Sequence, residues 1–296
     1  MMPDPLDAFF TAWTPRVEAA LDALLPPAHA DPSVIHEAMR YSVFAGGKRF
    51  RPILVLASAD ACGVDPATAM PLACAVEAVH TYSLIHDDLP SMDDSDTRRG
   101  KPTCHVKYGQ AVAVLAGDAL HDCAFEWITD LRASFPADRV LAVIREVAAA
   151  IGTGGMVGGQ VLDLLAERRQ LPADAVTEIH RRKTGALVRA CARCGALLSG
   201  SEADARALGR YGEHLGLAFQ ITDDILDVVG EAEKMGKPPG GDSAAAKATY
   251  PAVFGLDRSR AMAVEQMHMA IDALAALGAR AEVLRGLARF VVERDR

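Results

Sequence analysis

Two residue types are scarce in this chain. Aromatic residues make up 5% of its 296 residues, and the six cysteines are spread between Cys62 and Cys194. Thiols this dilute exclude a disulfide scaffold. Cys191 and Cys194 form a C-x-x-C, but neither a second such pair nor a nearby histidine pair completes a zinc site. We therefore predict that both thiols are small core residues on a helix.

Basic charge and long apolar runs are scarce as well. The chain has 31 Lys and Arg against 39 Asp and Glu, a net charge of −8, which argues against nucleic-acid binding. Its longest run without a charged residue, 147–162, contains five glycines and is shorter than the roughly 20 apolar residues of a spanning helix. The N-terminal segment lacks the basic and apolar regions of a signal peptide. We therefore expect a cytoplasmic protein with no membrane span and no nucleic-acid partner.

Several signatures of other enzyme classes are missing too. The chain has no G-x-S-x-G, no P-loop and no Rossmann fingerprint, and alternating strand patterns are almost absent. Helical spacing dominates instead, with apolar positions repeating every three or four residues before Asp87 and again before Asp223. No linker divides the chain. These patterns predict an all-α fold of about ten or more helices in one domain, 1–296.

Two acidic clusters end those two helical patterns. The first places five carboxylates between Asp87 and Asp96, and in the second Asp223 and Asp227 share one helix face, where like charges repel. A single acidic run is usually a solvated turn. Two runs beside basic segments favour Mg²⁺, which binds a few carboxylates together with substrate phosphates. The sequence therefore predicts a magnesium diphosphate held between acidic and basic groups.

The motifs around these clusters resemble the trans-polyprenyl diphosphate synthase family, most closely its bacterial farnesyl diphosphate synthases. The first acidic cluster matches the longer bacterial aspartate-rich motif, and the second matches D-D-x-x-D. The matching segments are GGKRFRP (46–52), HTYSLIHDDLP (80–90), RRGKPT (98–103), GMVGGQVLDL (155–164), KTGAL (183–187) and GLAFQITDDILD (216–227). Two departures are Phe50, where relatives usually carry Leu, and a loop before Lys247 that is less charged than usual.

The resemblance implies an all-α isoprenoid synthase fold around a deep central cavity, usually in a homodimer. It implies 1′-4 condensation of isopentenyl diphosphate with an allylic diphosphate, after which the released diphosphate removes the proton. It also implies about three Mg²⁺ ions, with Mn²⁺ as a possible substitute. The implied metal ligands are Asp87, Asp88, Asp93, Asp223 and Asp227.

The resemblance also assigns the substrate contacts. The residues implied for the isopentenyl diphosphate are Lys48, Arg51, His80 and Arg99. Those implied for the allylic diphosphate are Arg98, Lys183, Thr184, Gln220, Lys237 and Lys247. Among these, Thr184 and Gln220 would turn their oxygens toward the developing carbocation.

Product length is expected to depend on the helix before Asp87. The growing prenyl chain would run along this helix, and Tyr82 and Ser83 lie about one turn before Asp87. Because Ser83 is small, Tyr82 is the expected floor and the C15 product, farnesyl diphosphate, is favoured. The alternatives are a C20 or C10 synthase, a class I terpene cyclase, which needs only one diphosphate site, and a non-catalytic synthase subunit. Such a subunit typically lacks one of the two aspartate motifs.

Overall fold

Helices account for nearly all of the structure, a computed structural model that describes residues 4–166, 172–229 and 249–294. The larger helices are α1 (Pro5–Leu24), α2 (Ser33–Val43), α3 (Phe50–Ala61), α4 (Met70–Asp87), α6 (Gln110–Thr129), α7 (Ala137–Ile151), α8 (Met156–Ala166), α9 (Ala173–His180), α10 (Ala186–Ser199), α11 (Glu202–Val229), α13 (Leu256–Ala273) and α14 (Glu282–Glu293). The short helices are α5 (Cys104–Tyr108) and α12 (Tyr250–Phe254). The all-α prediction is confirmed. Lys237 and Lys247 lie outside the described residues.

Irregular elements interrupt or join the helices in several places. A two-residue hairpin pairs β1 (Thr97–Arg98) antiparallel with β2 (Lys101–Pro102). A π-helical turn, Arg181–Gly185, joins α9 to α10. Short 3₁₀ turns at Pro66–Ala69, Asp130–Ala133 and Ala275–Ala281 connect other helices. Such π turns are rare and occur mostly at functional sites.

Helices α3 and α10 form the centre of the core. The residues of α3 from Pro52 to Ala59 are all buried, as expected of a helix that is apolar on every side. Helix α10 packs against α3, α7 and α11. Cys191 and Cys194 of α10 are buried free thiols, which confirms their predicted core position, and burial raises the pKa of Cys191 to about 12.

One described segment, Ala137–Ala166, is long and apolar enough by composition alone to be a candidate membrane span. The structure divides it at the glycine-rich turn 152–155 into α7, of 15 residues, and α8, of 11. Neither helix reaches the roughly 20 residues that a span requires. Helix α7 buries Val140, Val143 and Val147, and it packs on α10. The segment is therefore a pair of packed helices in this fold.

Two glycines bring three elements together around the π turn. A Cβ atom on Gly159 of α8 would lie 2.3 Å from the backbone nitrogen of Lys183. A Cβ atom on Gly216 of α11 would lie 2.7 Å from the Cα atom of Gly185. Contacts this close exclude any side chain at either glycine. The approach places the π turn between α8 and α11, and this sets the positions of Lys183, Thr184 and Gln220.

Candidate active site

The first acidic motif begins at the last residue of α4 and continues in a loop that folds back on the helix. The backbone N–H of Asp93 donates to the carbonyl oxygen of Asp87 at 2.8 Å, and that of Ser95 donates to the carbonyl of Asp88 at 3.1 Å. The loop therefore returns Asp93 to the neighbourhood of Asp87. Both side chains are half-buried, so they remain accessible to a ligand.

Within this motif, Asp88 differs from its neighbours because its side chain is buried and bound to an arginine. The Nε atom of Arg98 donates to both carboxylate oxygens of Asp88 at 3.0 Å, and Nη2 donates to Oδ1 at 2.7 Å. Burial raises the pKa of Asp88, and Arg98 opposes that shift. The charges of Asp87 and Asp93 help to raise the pKa of Arg98 against the effect of burial. Arg98 is thus anchored by Asp88 and lies within the field of the other two carboxylates.

Two arginines and a neutral histidine form a cluster, here named the cation cluster, beside this motif. Burial lowers the pKa of His80 well below its ordinary value, and the charges of Arg51, Arg99 and Arg98 lower it further. Burial also lowers the pKa values of Arg51 and Arg99. The structure therefore brings Arg51, His80 and Arg99 together as predicted. The guanidiniums of Arg51 and Arg99 disfavour each other, whereas His80, with its lowered pKa, is neutral at pH 7. A diphosphate would therefore be stabilised beside the two guanidiniums.

Lys48 borders the same cluster from the loop before α3. Its side chain is exposed, and its Nζ atom lies 4.9 Å from the ring centroid of Phe290 in α14. The guanidinium of Arg99 donates to the carbonyl oxygen of Gly46 in that loop. The GGKRFRP segment and the RRGKPT segment thus meet at one place.

The second acidic motif lies on α11 and directs its middle carboxylate into a buried hydrogen-bond chain. Asp224 accepts from Nε2 of Gln220 at 2.9 Å and from the backbone N–H of Tyr250 at 2.9 Å. The hydroxyl of Thr184 donates to Oε1 of Gln220 at 2.7 Å. Because an ionised carboxylate can only accept, Asp224 fixes which way the Gln220 amide faces. The hydroxyl of Thr184 donates its only proton to Gln220, so its oxygen lone pairs can accept from, or face, another group.

The other two carboxylates of this motif have different surroundings. Asp223 is half-buried and pairs with Arg294 at 2.7 Å, while the guanidinium of Arg294 also lies 4.0 Å from the ring centroid of Phe219. The charge of Asp223 also acts on Arg51, which connects the second motif to the cation cluster. Asp227 is buried on the same helix.

Lys183 extends from the π turn toward α8. Its Nζ atom donates to Oδ2 of Asp163 at 2.7 Å, and both side chains are partly buried. His180, the last residue of α9, precedes the π turn, and burial is the main cause that lowers its pKa to about 4. The Nδ1 atom of His180 lies 3.8 Å from Oδ2 of Asp224, so the π turn and the second acidic motif share one buried network.

The predicted floor residue Tyr82 is buried between α4 and α6. Its ring centroid lies 5.8 Å from that of His86 and 5.3 Å from that of His121, and the latter stacks edge-on against Phe125. Burial raises the pKa of Tyr82 to about 12. The hydroxyl of Ser83 donates to the carbonyl oxygen of His80. Tyr82 is therefore the start of an aromatic column on the side of α4 that faces α6.

The site's donor set can be tested against a magnesium ion. In the ranges 4–166, 172–229 and 249–294, no three His, Cys, Asp or Glu side chains converge as a metal centre made of protein alone. Mg²⁺ does not require one, because it usually takes one or two carboxylates and completes its shell with water and phosphate oxygens. The half-buried oxygens of Asp87, Asp93 and Asp223 fit that requirement.

Several residues of the site carry no role in the sequence prediction. Asp163 and Asp224 lie inside segments that match the family, but only their contacts reveal what they do. His121 could have been found as the residue that helical packing places opposite Tyr82. Arg294 lies 71 residues from its partner Asp223, and no local pattern signals that pairing.

Two acidic motifs and a cation cluster on an all-α scaffold are typical of diphosphate-binding enzymes, and comparisons identify the family. The family model described as polyprenyl synthetase matches residues 32–280. The chain is 44% identical to the farnesyl diphosphate synthase of Escherichia coli (strain K12), covering 95% of this chain and 96% of that one. It is also 44% identical to the geranylgeranyl diphosphate synthase of Cyanophora paradoxa, covering 94% and 93%. The chain belongs to the polyprenyl synthetase family.

A solved structure agrees with this assignment. The crystal structure of an FPP/GFPP synthase from Zymomonas mobilis is similar to this one with a TM-score of 0.86 and 36% sequence identity. The similarity covers 97% of this chain and 98% of that chain. The protein is accordingly a trans-prenyltransferase, and relatives with different products match it equally well.

Proposed function

We propose that the protein condenses isopentenyl diphosphate with dimethylallyl and then geranyl diphosphate to make (2E,6E)-farnesyl diphosphate. The observation that carries the proposal is the cation cluster, the guanidiniums of Arg51 and Arg99 with the neutral His80, beside Asp87 and Asp93. A site for one diphosphate would need only one group of cations. The cluster together with Lys183 and Arg98 suits two diphosphates, and this favours a synthase over a terpene cyclase.

Each residue has a distinct task in this proposal. Asp87, Asp93 and Asp223 would hold Mg²⁺, which neutralises the leaving diphosphate when it is bound. Arg98 and Lys183 bind the allylic diphosphate, with Asp88 anchoring Arg98. Lys237 and Lys247 would add to that site from outside the described residues, and Asp227 would support Asp223.

The bond changes follow from that placement. The C1–O bond of the allylic diphosphate breaks, and the electron pair leaves with the diphosphate. The isopentenyl double bond then attacks this carbon, a new C–C bond forms, and the proton at C2 passes to the released diphosphate. Thr184, whose proton is committed to Gln220, turns lone pairs toward the cation without acting as a strong nucleophile. Lys48, Arg51, His80 and Arg99 hold the diphosphate of the attacking substrate.

Steady-state kinetics with both substrates varied would test this partition. Lys48→Ala and Arg99→Ala should raise mainly the KM for isopentenyl diphosphate, and Arg98→Ala and Lys183→Ala should act mainly on the allylic substrate. Equal effects of all four changes on both substrates would refute the partition. Failure of the wild-type chain to turn over the two substrates alone would favour a non-catalytic subunit.

The C15 product is the finer part of the proposal. It is supported by the burial of Tyr82 against His121 across α4 and α6. A C20 product is the alternative, since a geranylgeranyl diphosphate synthase matches this chain as well as a farnesyl one does. Incubation with isopentenyl and dimethylallyl diphosphate, followed by chromatographic sizing of the products, decides between them.

The assembly is also part of the proposal. We infer a homodimer of one-domain chains that meet along α6 and α7, because Leu115 and Leu141 are 56% and 64% exposed there. Light scattering of the purified protein would test it. The cytoplasmic location remains a prediction, since related proteins include one named as chloroplastic in Arabidopsis thaliana.

A further inference from the structure

Strained backbone is concentrated around the candidate site. In the part of the chain that the structure describes, the non-glycine residues with positive φ are Arg49 (51°), Asp94 (48°) and Arg99 (53°). This conformation is uncommon for residues with a side chain and persists where the surroundings enforce it. Asp94 follows a motif carboxylate, and Arg99 turns the hairpin. Arg49 has no turn to account for it, since it directly precedes α3.

The side chain of Arg49 is held by three helices. Its Nε atom donates to Oε1 of Glu18 in α1 at 2.6 Å, and Nη1 donates to Oε1 of Glu77 in α4 at 2.7 Å. Nη2 donates to the carbonyl oxygen of Val43, the last residue of α2, at 2.8 Å. Arg49 and Glu77 are only 2% and 3% exposed. A buried charge pair is retained at a cost in desolvation, so its presence calls for a role beyond stability.

Arg49 and Glu77 connect the two halves of the cation cluster. Arg49 lies between Lys48, its neighbour in the loop, and Arg51, in the first turn of α3. Glu77 lies on α4 three residues before His80, about one helical turn away. The Arg49–Glu77 bond therefore fixes the distance between the α3 side and the α4 side of the cluster. It also holds the left-handed backbone conformation of Arg49, which sets the direction of the chain at the preceding Lys48.

We propose that Arg49, through its buried pair with Glu77, is the positioning residue of the isopentenyl diphosphate site. Its own guanidinium does not touch substrate, because it is buried and donates to three protein oxygens. It acts by holding Lys48, Arg51 and His80 in the arrangement that receives one diphosphate. The inference rests on the proposed function, which assigns that diphosphate to this cluster.

The decisive variant removes both charges of the pair. In Arg49→Leu/Glu77→Leu both buried charges are removed, and Glu18, which also loses its bond to Arg49, has a side chain that is 38% exposed to water. Such replacements of buried ion pairs are often neutral for stability. We expect the KM for isopentenyl diphosphate to rise about tenfold or more, the effect of losing one well-placed charged hydrogen bond. The KM for geranyl diphosphate should stay within about twofold of wild type, the usual scatter of changes that remove no contact.

A second variant and a matched control complete the test. Arg49→Lys keeps the charge but cannot reach three oxygens at once, so its KM should lie between those of wild type and the double variant. Arg40 also connects α1 and α2, but its guanidinium bonds Asp22 and the carbonyls of Leu25 and Pro26 at the end of α1. Arg40→Met should lower the melting temperature without changing either KM.

The outcomes are distinguishable. Inactivity of the wild-type enzyme with both substrates overturns the proposed function and, with it, this inference. An active wild type whose Arg49 variants lose kcat alone, or raise both KM values equally, overturns the inference and leaves the proposed function intact. If the double variant does not fold, the ratio of the two KM values in Arg49→Lys decides between the same outcomes.

Discussion

Each acidic motif pairs with one arginine, but through a different carboxylate of the motif. In the first, Arg98 bonds the middle carboxylate, Asp88. Asp87, at the end of α4, and Asp93, in the following loop, are half-buried. In the second, Arg294 holds the leading carboxylate, Asp223, while the middle one, Asp224, is buried beneath Gln220 and Tyr250. Similar strings of aspartates thus have different surroundings: the buried Asp88 and Asp224 each accept hydrogen bonds from another side chain, whereas Asp87, Asp93 and Asp223 are half-buried.

The largest effect should come from removing an outer carboxylate on either side. Asp87→Ala, Asp93→Ala or Asp223→Ala should lower kcat by about 10²–10³-fold or more, since each removes charge stabilisation made chiefly in the transition state. EDTA should abolish turnover. Asp272→Ala, at an exposed position on α13, is the control and should be silent. Full activity in EDTA would refute the magnesium assignment for both motifs.

Substitutions of the neighbouring Asp223 and Asp224 in the second motif should affect turnover in different ways. Asp224→Asn keeps the shape but offers one acceptor oxygen to two donors, so kcat should fall about tenfold, the cost of one unmet buried donor. Its Mg²⁺ concentration dependence should not change. Asp223→Asn should instead raise the Mg²⁺ concentration for half-maximal rate. Titrating Mg²⁺ against rate separates the two, and identical Mg²⁺ curves would show that the motif is not divided in this way.

The floor below the first motif should affect product rather than rate. Tyr82→Ala removes the ring that contacts His121 and should shift the product from C15 toward C20 or longer. Metal dependence should stay unchanged. Chromatography of the products checks this, with Tyr82→Phe as a control that retains the ring. An active Tyr82→Ala that still stops at C15 would rule out Tyr82 as the floor.

The last effect concerns stability rather than turnover and belongs to the second motif's network. His180 has a pKa of about 4 in the fold, lowered first by burial and also by Lys183, and opposed by Asp163. An ordinary histidine titrates near 6.5, so the unfolded chain binds a proton that the folded chain does not between these values. Stability is therefore complete above about pH 6.5 and falls as pH drops toward 4, by up to about 3 kcal/mol.

Denaturant unfolding at several pH values would measure that loss. His180→Gln should flatten the pH dependence in this window, while a matched change at the exposed His29 should leave it as in wild type. An unchanged slope in His180→Gln would show that another group controls acid stability.

Sequence predicted the helical scaffold because apolar spacing of three and four residues is a local signal, clear before Asp87 and before Asp223. It also predicted that Arg51, His80 and Arg99 belong to one site, since their motifs resemble a family. It gave Asp224 no role and could not find the partners of Asp224 or Asp223, because Tyr250 and Arg294 are distant in sequence. Long-range partners decide whether a carboxylate serves a ligand or the fold.

The π turn at Arg181–Gly185 has a consequence for how this region can evolve. A π turn contains one residue more than the α-helical path it replaces. Losing a single residue there would restore the shorter α-helical path between α9 and α10, with one side chain fewer to reach the partners of the turn. Lys183 would leave Asp163, or Thr184 would leave Gln220, since the two neighbours have different partners. This segment should therefore tolerate substitutions far better than insertions or deletions, and its length should be as constrained as any side chain in the site.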